Sequence, residues 1–399
     1  VAEGTQQTNA TSQLFFPAVY DNYKDGNRTW QSMLSLQNTS TSAATAQLTF
    51  YHSTGGSSAM TLNFAAGQVQ TVSINNSLST STKVSYGAEL GWSDASAKTL
   101  YLPAVAKDTN GFTSNLVIQN LSNSTLNGVT LTFYNQSGNQ VLQESAPPLT
   151  AYRSWYPNLA QMSLANGYSG SLIVSSPNGP VAVIDNKLSS TGSPLLTSNG
   201  MAAGSQTLYA PGLATGLSQQ FSSELTVYNT SNQPAAVNVT HSDGIGNSQF
   251  NLPAHGSQTL TYDSGHGAFA AILTADQAIL ALVTTRSGTT GASTAYNAFT
   301  QASTSYFLPL QIKGKDYQDR ISSISFISSI GFFNPGSTPA DVQILYSNGS
   351  TQQVTIQPGQ IRGVGPSNDT FYFMGAASVT SSQPILVVTS ISGNGTDGD

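Results

Sequence analysis

A single strand-and-turn pattern occurs four times along the 399 residues, and this repetition restricts the fold more than any other feature of the sequence. Each copy opens with a short apolar segment that carries proline in its fourth place. The four opening segments are Leu14–Val19, Leu100–Val105, Leu208–Leu213 and Tyr306–Leu310. Because proline has no amide hydrogen to donate to a neighbouring strand, each copy is predicted to begin at a sheet edge or at a bend between sheets.

A second segment in each copy ends in asparagine, and a third segment has apolar residues at about every second position. The second segments are Met33–Asn38, Leu116–Asn120, Leu225–Asn229 and Ile330–Asn334. The third segments are Ala46–Tyr51, Val129–Tyr134, Ala236–Thr240 and Val342–Tyr346. Alternation with a period of two indicates strands that have one buried face and one exposed face.

Glycine-containing turns and further strands complete each copy, which is predicted to close with a hairpin. The closing hairpins of copies two, three and four join Ser169–Ser176 to Val181–Ile184, Ala270–Leu273 to Ile279–Val283, and Ala376–Val379 to Pro384–Val388. Seven short strands in about 100 residues are typical of an immunoglobulin-like sandwich. The sequence therefore predicts an all-β chain of four tandem immunoglobulin-like β-sandwich domains, with Asn158–Ala165 as its candidate for a short helix.

This order of segments resembles the tandem immunoglobulin-like repeats of secreted and surface proteins of bacteria and archaea. The likeness covers residues 13 to 391 and is strongest in copies one and two. Copy three ends its third segment in Val239 and Thr240 instead of a Phe-Tyr pair, and copy four inserts Ile321–Ser329 before its second segment. The resemblance implies a fold and an extracellular location. It implies no chemistry, because this scaffold carries many functions.

The four copies and the segments between them define the predicted domain organisation. The chain divides into an N-terminal extended segment (1–12), sandwich one (13–98), sandwich two (99–187), a linker (188–207), sandwich three (208–286), a second linker (287–305), sandwich four (306–391) and a polar tail (392–399). Copies one and two share Lys98–Val105 and are predicted to move as one body. The two linkers are predicted to be flexible joints or packed extended segments.

Composition excludes several classes of function. Charged residues make up 8% of the chain, against about 25% in ordinary soluble domains. The net charge is −6 and the basic residues are scattered, so nucleic-acid binding is not expected. The apolar runs are far shorter than the roughly 18 to 20 residues of a membrane span, so no membrane insertion is expected. With no cysteine, the chain has neither disulfides nor thiolate metal sites.

Two features favour secretion. The chain begins at Val1 rather than Met, which we interpret as a mature product after signal cleavage. It also contains many Asn-x-Ser/Thr triplets, the acceptor sequence for N-linked glycans, although a chain so rich in Asn, Ser and Thr contains many by chance. The glycosylation candidates are Asn27, Asn38, Asn120, Asn135, Asn229 and Asn348.

Two groups of residues are candidates for metal or acid-base chemistry. His241, His255 and His266 lie in copy three with Asp243 and Asp263 nearby, but their places in the repeat favour turn residues. The loop after the first segment of copy one contains Asp21, Asp25 and Asn27, oxygen-bearing side chains that could hold calcium. This loop departs from the helical calcium-loop pattern, so a solvated turn is the preferred interpretation, and calcium is the one cofactor considered.

No catalytic pattern recurs among the copies. The chain lacks a Gly-x-Ser-x-Gly elbow with a following acid and His, and its few glutamates occupy unrelated places in the repeat. We therefore predict that the protein is not an enzyme. Trp155 and Tyr156 interrupt a polar strand pattern and are candidates for contact with a partner, with core packing as the alternative. Trp30 and Trp92 are predicted to pack in the cores.

The sequence favours a structural role. We predict an extracellular protein that self-assembles, as a homopolymer, into a surface filament, sheath or surface layer. The alternative is an adhesin or glycan-binding surface protein with recognition loops at one end, and a virion surface protein is the third interpretation. The N-terminal segment, Gly4–Gln13, is predicted to be ordered by a neighbouring subunit that it reaches by strand donation.

Overall fold

A computed structural model describes residues 13–21, 23–25, 28–30, 32–53, 55–74, 97–189, 195–289, 293–315, 324–365 and 373–395. In this part of the chain the structure is nearly all β, which confirms the all-β class. One turn of 3-10 helix spans Leu159–Gln161, inside the segment predicted as a short helix. Asn158 caps it, because its side-chain oxygen accepts a hydrogen bond from Ala160 N at 3.0 Å. The described residues contain no helix with the length and hydropathy of a membrane span.

Copy one forms three antiparallel strand pairs in the described residues. Its strands are β1 Tyr23–Asp25, β2 Arg28–Trp30, β3 Met33–Gln37, β4 Ala44–Tyr51, β5 Ser57–Phe64 and β6 Val69–Ser73. β1 pairs with β2, β3 with β6 and β4 with β5. The turn between β5 and β6 contains Gly67, whose φ of 67° lies in the left-handed region that favours glycine. Residues 75–96, which include Trp92, and the N-terminal segment 1–12 lie outside the described residues.

Copy two is built from two four-stranded sheets that face each other across one core. Its strands are β7 Thr99–Lys107, β8 Phe112–Asn120, β9 Thr130–Asn135, β10 Gln140–Ser145, β11 Ser154–Trp155, β12 Tyr168–Ser175, β13 Val181–Ser189 and β14 Leu195–Asn199. The sheet orders are β10-β9-β12-β7 and β11-β8-β13-β14. Leu102 and Phe133 from the first sheet meet Ile118 and Val183 from the second, and all four are fully buried.

Copy three has the same strand sequence, with one difference in its closing segment. Its strands are β15 Ser205–Ala214, β16 Phe221–Asn229, β17 Ala235–His241, β18 Ser248–Leu252, β19 Ser257–Tyr262, β20 Ala268–Ser287 and β21 Ser293–Asn297. The predicted closing hairpin is wrong in copy two, where β12 and β13 lie in different sheets, and in copy three, where β20 is continuous over both predicted arms. Copy two has the turn sequence Pro177–Pro180 at this place, whereas copy three has Thr274–Ala278, which contains neither glycine nor proline.

Copy four repeats this arrangement. Its strands are β22 Ser303–Lys315, β23 Ile324–Phe333, β24 Ala340–Tyr346, β25 Thr351–Ile356, β26 Ile361–Val364 and β27 Phe373–Gly395. Again the predicted closing hairpin is wrong: the first part of β27 pairs with β22 and β24, and its second part pairs with β23. The long strand therefore passes from one layer of the copy to the other.

The chain forms two compact units. One contains Gln13–Pro17 and Ser85–Gln301, and thus copies two and three. The other contains Ala18–Val84 and Ala302–Asp399, and thus most of copy one and copy four. Since residues 75–96 lie outside the described part, the tight joint predicted between copies one and two stays a prediction.

The segments predicted as linkers carry strands instead of loose chain. β14 extends the sheet of β13, with Ile184 opposite Asn199 and Leu188 opposite Leu195. β21 extends the sheet of β20 in the same way. β14 and β21 also contact each other, and Asn297 Nδ2 donates a hydrogen bond to Asn199 O at 2.7 Å. Of the two interpretations of these linkers, the packed extended segment is the one that describes β14 and β21.

Candidate functional site

The asparagine that ends the second segment makes equivalent hydrogen bonds in all four copies. Asn120, Asn229 and Asn334 are fully buried, and Asn38 is 9% exposed. We call these four side chains the asparagine brace. A buried amide must find partners for its carbonyl oxygen and for both amide hydrogens.

In copy two, Asn120 satisfies all of these groups within the fold. Its Nδ2 donates to the carbonyl oxygens of Ser124, Leu149 and Thr150 at 2.7, 2.9 and 3.1 Å. Its Oδ1 accepts from both N and Oγ of Ser122 at 2.8 Å. One side chain therefore shapes the loop that follows its own strand and ties that loop to the neighbouring segment around Leu149.

The other copies repeat this geometry. Nδ2 of Asn38 donates to Ser42 O at 2.7 Å and Ala65 O at 2.9 Å. The same atom of Asn229 donates to Gln233 O and Pro253 O at 2.7 and 2.9 Å. In copy four, Nδ2 of Asn334 donates to Thr338 O and Ile356 O at 2.8 and 3.0 Å. In each copy one acceptor lies four residues ahead and another lies in the sheet that the loop must reach.

The brace corrects three of the glycosylation candidates. Asn38, Asn120 and Asn229 are buried, and their amide nitrogens donate hydrogen bonds inside the fold, so the folded chain presents none of them to a glycan. Their Asn-x-Ser triplets have a structural reason, because the asparagine oxygen accepts from the backbone of the residue two positions ahead. This is an Asx turn, which Ser stabilises. Copy four makes the same turn with Gly336, without a glycosylation triplet.

The remaining candidates lie in turns or outside the described residues. Asn348 is exposed, and its Oδ1 accepts from Ser350 N at 3.0 Å. Asn135 is half-buried at the end of β9, and its Oδ1 accepts from Asn139 N at 3.0 Å. Asn27 lies outside the described residues. Glycosylation of Asn27, Asn135 and Asn348 therefore stays a prediction.

The calcium candidates lie mostly outside what the structure describes. Asp21 is exposed, Asp25 ends β1, and Asn27 lies outside the described part. No group of three or more acidic or histidine side chains in that part could hold a metal ion. In the equivalent loop of copy two, the Asp108 carboxylate binds within the loop: its Oδ1 accepts a hydrogen bond from Thr113 Oγ1 at 3.1 Å. Calcium at the first loop stays a prediction.

Trp155 and Tyr156 have different surroundings. Trp155 lies opposite Ile118 in the pairing of β11 with β8, and it packs against the core of copy two. Tyr156, the next residue, is 46% exposed. Core packing therefore describes Trp155, while contact with a partner stays a prediction for Tyr156.

The histidines of copy three separate into a pair and a single residue. His241 Nε2 lies 2.9 Å from the Tyr262 hydroxyl, and His266 Nδ1 lies 2.8 Å from Asp243 Oδ2. Burial lowers the pKa of His241. His255 lies apart, in the turn between β18 and β19, where its ring centroid lies 4.8 Å from that of Tyr134 in copy two, with the two rings tilted by 38°. The pair closes one end of copy three, and His255 takes part in the contact between copies.

In the described part of the chain, four charged side chains lie close together where copies two and three meet, and the sequence did not reveal this group. Asp185 is fully buried, and its Oδ2 accepts from Ser114 Oγ at 2.8 Å. Lys187 Nζ lies 4.0 Å from the same oxygen. From copy three, Glu224 and Arg286 form an ion pair at 3.6 Å. We call these four residues the charged cluster.

Apolar groups surround the charged cluster and exclude water from it, which strengthens the electrostatic interactions between its charges. The Arg286 guanidinium lies 4.5 Å above the ring of Phe112 in copy two. Phe112 and Leu196 pack against Leu282 and Ala295 of copy three. Burial raises the pKa of Asp185 to about 6, although Lys187 and the hydrogen bond from Ser114 lower it. Burial also lowers the pKa of Lys187. Each ion pair lies within one copy, and the contact between the copies is made here by Arg286 over Phe112 and by the surrounding apolar side chains.

Comparisons with known proteins do not assign the chain. No protein family and no curated protein matches the sequence. A solved structure described as the tetra-tandem repeat in the extending region of a large adhesion protein aligns with 92% of this chain and 96% of that chain. The two are 14% identical and the TM-score is 0.11. An alignment with so low a TM-score supports neither a fold nor a function.

Proposed function

We propose that this chain is an extracellular structural protein, the self-assembling subunit of a surface filament, sheath or surface layer. In this proposal each copy is an immunoglobulin-like sandwich, and four of them form one assembly unit. The chain acts by its shape and by its contacts and performs no reaction.

The observation that carries the proposal is the asparagine brace. It is a polar arrangement that recurs at equivalent places in all four copies, and its hydrogen bonds hold loops to strands. When a site for catalysis or binding is repeated with its domain, its functional side chains recur at equivalent positions. Here the recurring chemistry serves architecture, as expected of a scaffold.

The joint between copies two and three supports the same proposal. A chain that transmits force or keeps a fixed spacing needs rigid connections between its repeats. β14 and β21 provide such a connection because each completes a sheet and both contact each other. The Arg286 guanidinium of copy three, which lies 4.5 Å above the Phe112 ring of copy two, adds a second contact between these two copies.

Assembly is tested with purified full-length protein. We expect sedimentation velocity to show polymers whose share rises with protein concentration, and negative-stain electron microscopy to show a regular filament or lattice. The polymers are expected to persist in about 0.5 M salt, because the chain has few charges and screening acts mainly on exposed charges. Variant Tyr156→Ser tests whether the exposed ring contributes to the assembly contact.

A strictly monomeric protein at all concentrations would contradict self-assembly. If such a monomer retained a glycan from a glycan array, the alternative function, an adhesin or glycan-binding surface protein, would be supported instead. Fractionation of the native cells tests the location, since the proposal requires the protein outside the cell.

A further inference from the structure

A groove of about 410 Å³ lies where copies two and three meet, and both copies contribute to its walls. Gln136 and Ser137, in the turn between β9 and β10, line it from copy two. Asn251 near the end of β18 and Gln258 near the start of β19 line it from copy three. Its volume lies in the range of about 300–1,000 Å³ that is typical of small-molecule sites. We call it the joint groove.

Direct contacts between the two copies hold the walls of the joint groove in place. Ser257 N of copy three donates a hydrogen bond to Gln136 O of copy two at 3.0 Å. The two backbones approach so closely at Gly138 that a Cβ atom there would overlap Ala254 O. Because these contacts fix both walls before a ligand arrives, binding requires little ordering of the protein.

The described side chains that line the joint groove are all uncharged. Gln136 and Asn251 are exposed and Gln258 is half-buried, in contrast to the buried asparagine brace. Each of these three carboxamides can donate and accept hydrogen bonds. Thr259 adds a hydroxyl group, and the exposed ring of Pro253 adds an apolar surface. The groove therefore offers several polar groups of both kinds beside an apolar one.

This lining restricts the class of ligand. An ion would lose its hydration shell without gaining an opposite charge, and an apolar molecule would cover the amides without pairing them. A neutral saccharide meets both requirements, because its hydroxyl groups donate and accept and its C–H faces are apolar. A peptide fits less well, since grooves for extended peptides obtain their specificity from pockets for alternate side chains.

We propose that the joint groove binds a neutral oligosaccharide. The carboxamides of Gln136, Asn251 and Gln258 form hydrogen bonds with its hydroxyl groups, and Pro253 packs against a sugar ring. The ligand contacts both copies, so its binding also stabilises the contact between them. This site goes beyond the proposed assembly, because saccharide binding and polymerisation are separate properties with separate measurements.

Isothermal titration calorimetry of the full chain tests the class of ligand. The neutral probes are maltotetraose, cellotetraose, mannotetraose and chitotetraose, with tetragalacturonate as the charged probe and tetra-alanine as the peptide. At least one neutral probe is expected to bind with a Kd of about 1 mM or below, since an open groove buries only part of its ligand. The absence of binding by every neutral probe would overturn the proposal. Tighter binding of tetragalacturonate or tetra-alanine would overturn it as well.

Two variants test the place of binding. The double variant Asn251→Ala, Gln258→Ala is expected to weaken binding about tenfold or more, because two hydrogen bonds between neutral groups are lost. Ser137→Trp fills the groove from copy two and is expected to abolish binding. The matched control Gln343→Ala removes an exposed carboxamide from β24 of copy four and should leave the Kd unchanged. If either groove variant bound the saccharide as tightly as the natural chain, the site would lie elsewhere and the proposal would be wrong.

Hydrogen exchange of the natural chain provides a second measurement that needs no variant. The Ser257 amide joins the two walls, so its exchange reports on separation of the copies. Saccharide at about ten times its Kd is expected to slow this exchange about tenfold, because the ligand binds the closed joint. The strand β24 of copy four serves as the internal control. Equal exchange of the Ser257 amide with and without saccharide would contradict binding across the joint.

Discussion

Replacement of Asn120 by aspartate is expected to destabilise copy two by about 3 to 5 kcal/mol at neutral pH. The substitution keeps the size of the side chain and the oxygen that accepts from Ser122. It removes the amide that donates to Ser124, Leu149 and Thr150 and places a carboxylate against their carbonyl oxygens. An uncompensated buried charge costs about that much.

The measurement uses Trp155, which packs against the core of copy two and therefore reports on its unfolding. Urea unfolding is followed by fluorescence in a chain whose other two tryptophans, Trp30 and Trp92, are replaced by Phe. The control is Asn348→Asp, in an exposed turn, for which a loss below about 0.5 kcal/mol is expected. An equally small loss for Asn120→Asp would contradict the role assigned to the brace.

The pH dependence of this variant provides an independent check. The new carboxyl group is buried, so its pKa in the folded chain lies above its value in the unfolded chain. The folded state then binds more protons, and the stability of the variant relative to the natural chain is expected to recover as pH falls. A loss that is independent of pH would indicate altered shape rather than a buried charge.

The strand content and the repeat were predictable because they depend on local sequence. Alternation of apolar residues in Val129–Tyr134 and Val342–Tyr346 predicts strands with one buried face, and both segments are strands in the structure. The glycine turns were also predictable, since Gly138 and Gly349 adopt φ values of 78° and 86°, which favour glycine. These properties need no knowledge of distant residues.

The asparagine brace shows how one recurring residue can suggest glycosylation and serve the fold instead. Every second segment ends in asparagine, and in three copies the triplet Asn-x-Ser predicts a glycosylation signal. The useful indication was copy four, where Asn334 keeps the position while Pro335 and Gly336 remove the triplet. A residue that recurs without its supposed motif serves the fold.

The linkers and the charged cluster depend on contacts between copies, which local sequence does not determine. The small polar residues in 188–207 are compatible with an irregular linker or with a strand. The strand β14 forms because β13 offers an edge with which it can pair. Asp185 and Lys187 are two positions apart on one strand and therefore share a face, which is a detectable signal. Glu224 and Arg286 belong to another copy, so nothing in the local sequence groups these four residues.

The second large effect concerns Asp185. Its ionised carboxylate is expected to lower the free energy of unfolding of the unit that contains copies two and three by about 3 kcal/mol at pH 7. Its pKa in the folded chain is raised to about 6, against about 3.9 in an unfolded chain. Between these two values the folded state binds more protons than the unfolded state. Stability is therefore highest below about pH 4, falls as pH rises to about 6, and changes little above it.

Asp185→Asn removes this pH dependence, because the new side chain does not ionise and its amide oxygen can still accept from Ser114. Urea unfolding of both proteins is measured from pH 4 to pH 8. The stability of the variant minus that of the natural chain is expected to increase by about 2 kcal/mol between pH 4 and pH 7. Asp263→Asn, at an exposed position of the same unit, is the control and should change stability by less than about 0.5 kcal/mol. A difference that stays constant with pH would refute the buried charge.

Lys187→Met tests the cause of the pKa value and the purpose of the ion pair. The Lys187 ammonium lowers the pKa of Asp185. Without it, the hydrogen bond from Ser114 is the one remaining interaction that counteracts the rise in pKa caused by burial. The pKa then rises above about 6, and the pH range in which stability falls extends upward by the same amount.

At pH 8 the variant is expected to lose about 3 to 5 kcal/mol, since Asp185 is left as an unpaired buried charge. The loss should disappear in the double variant Asp185→Asn, Lys187→Met, which removes both charges. If the double variant were as unstable as Lys187→Met alone, the contribution of Lys187 would come from packing against copy three and not from its charge.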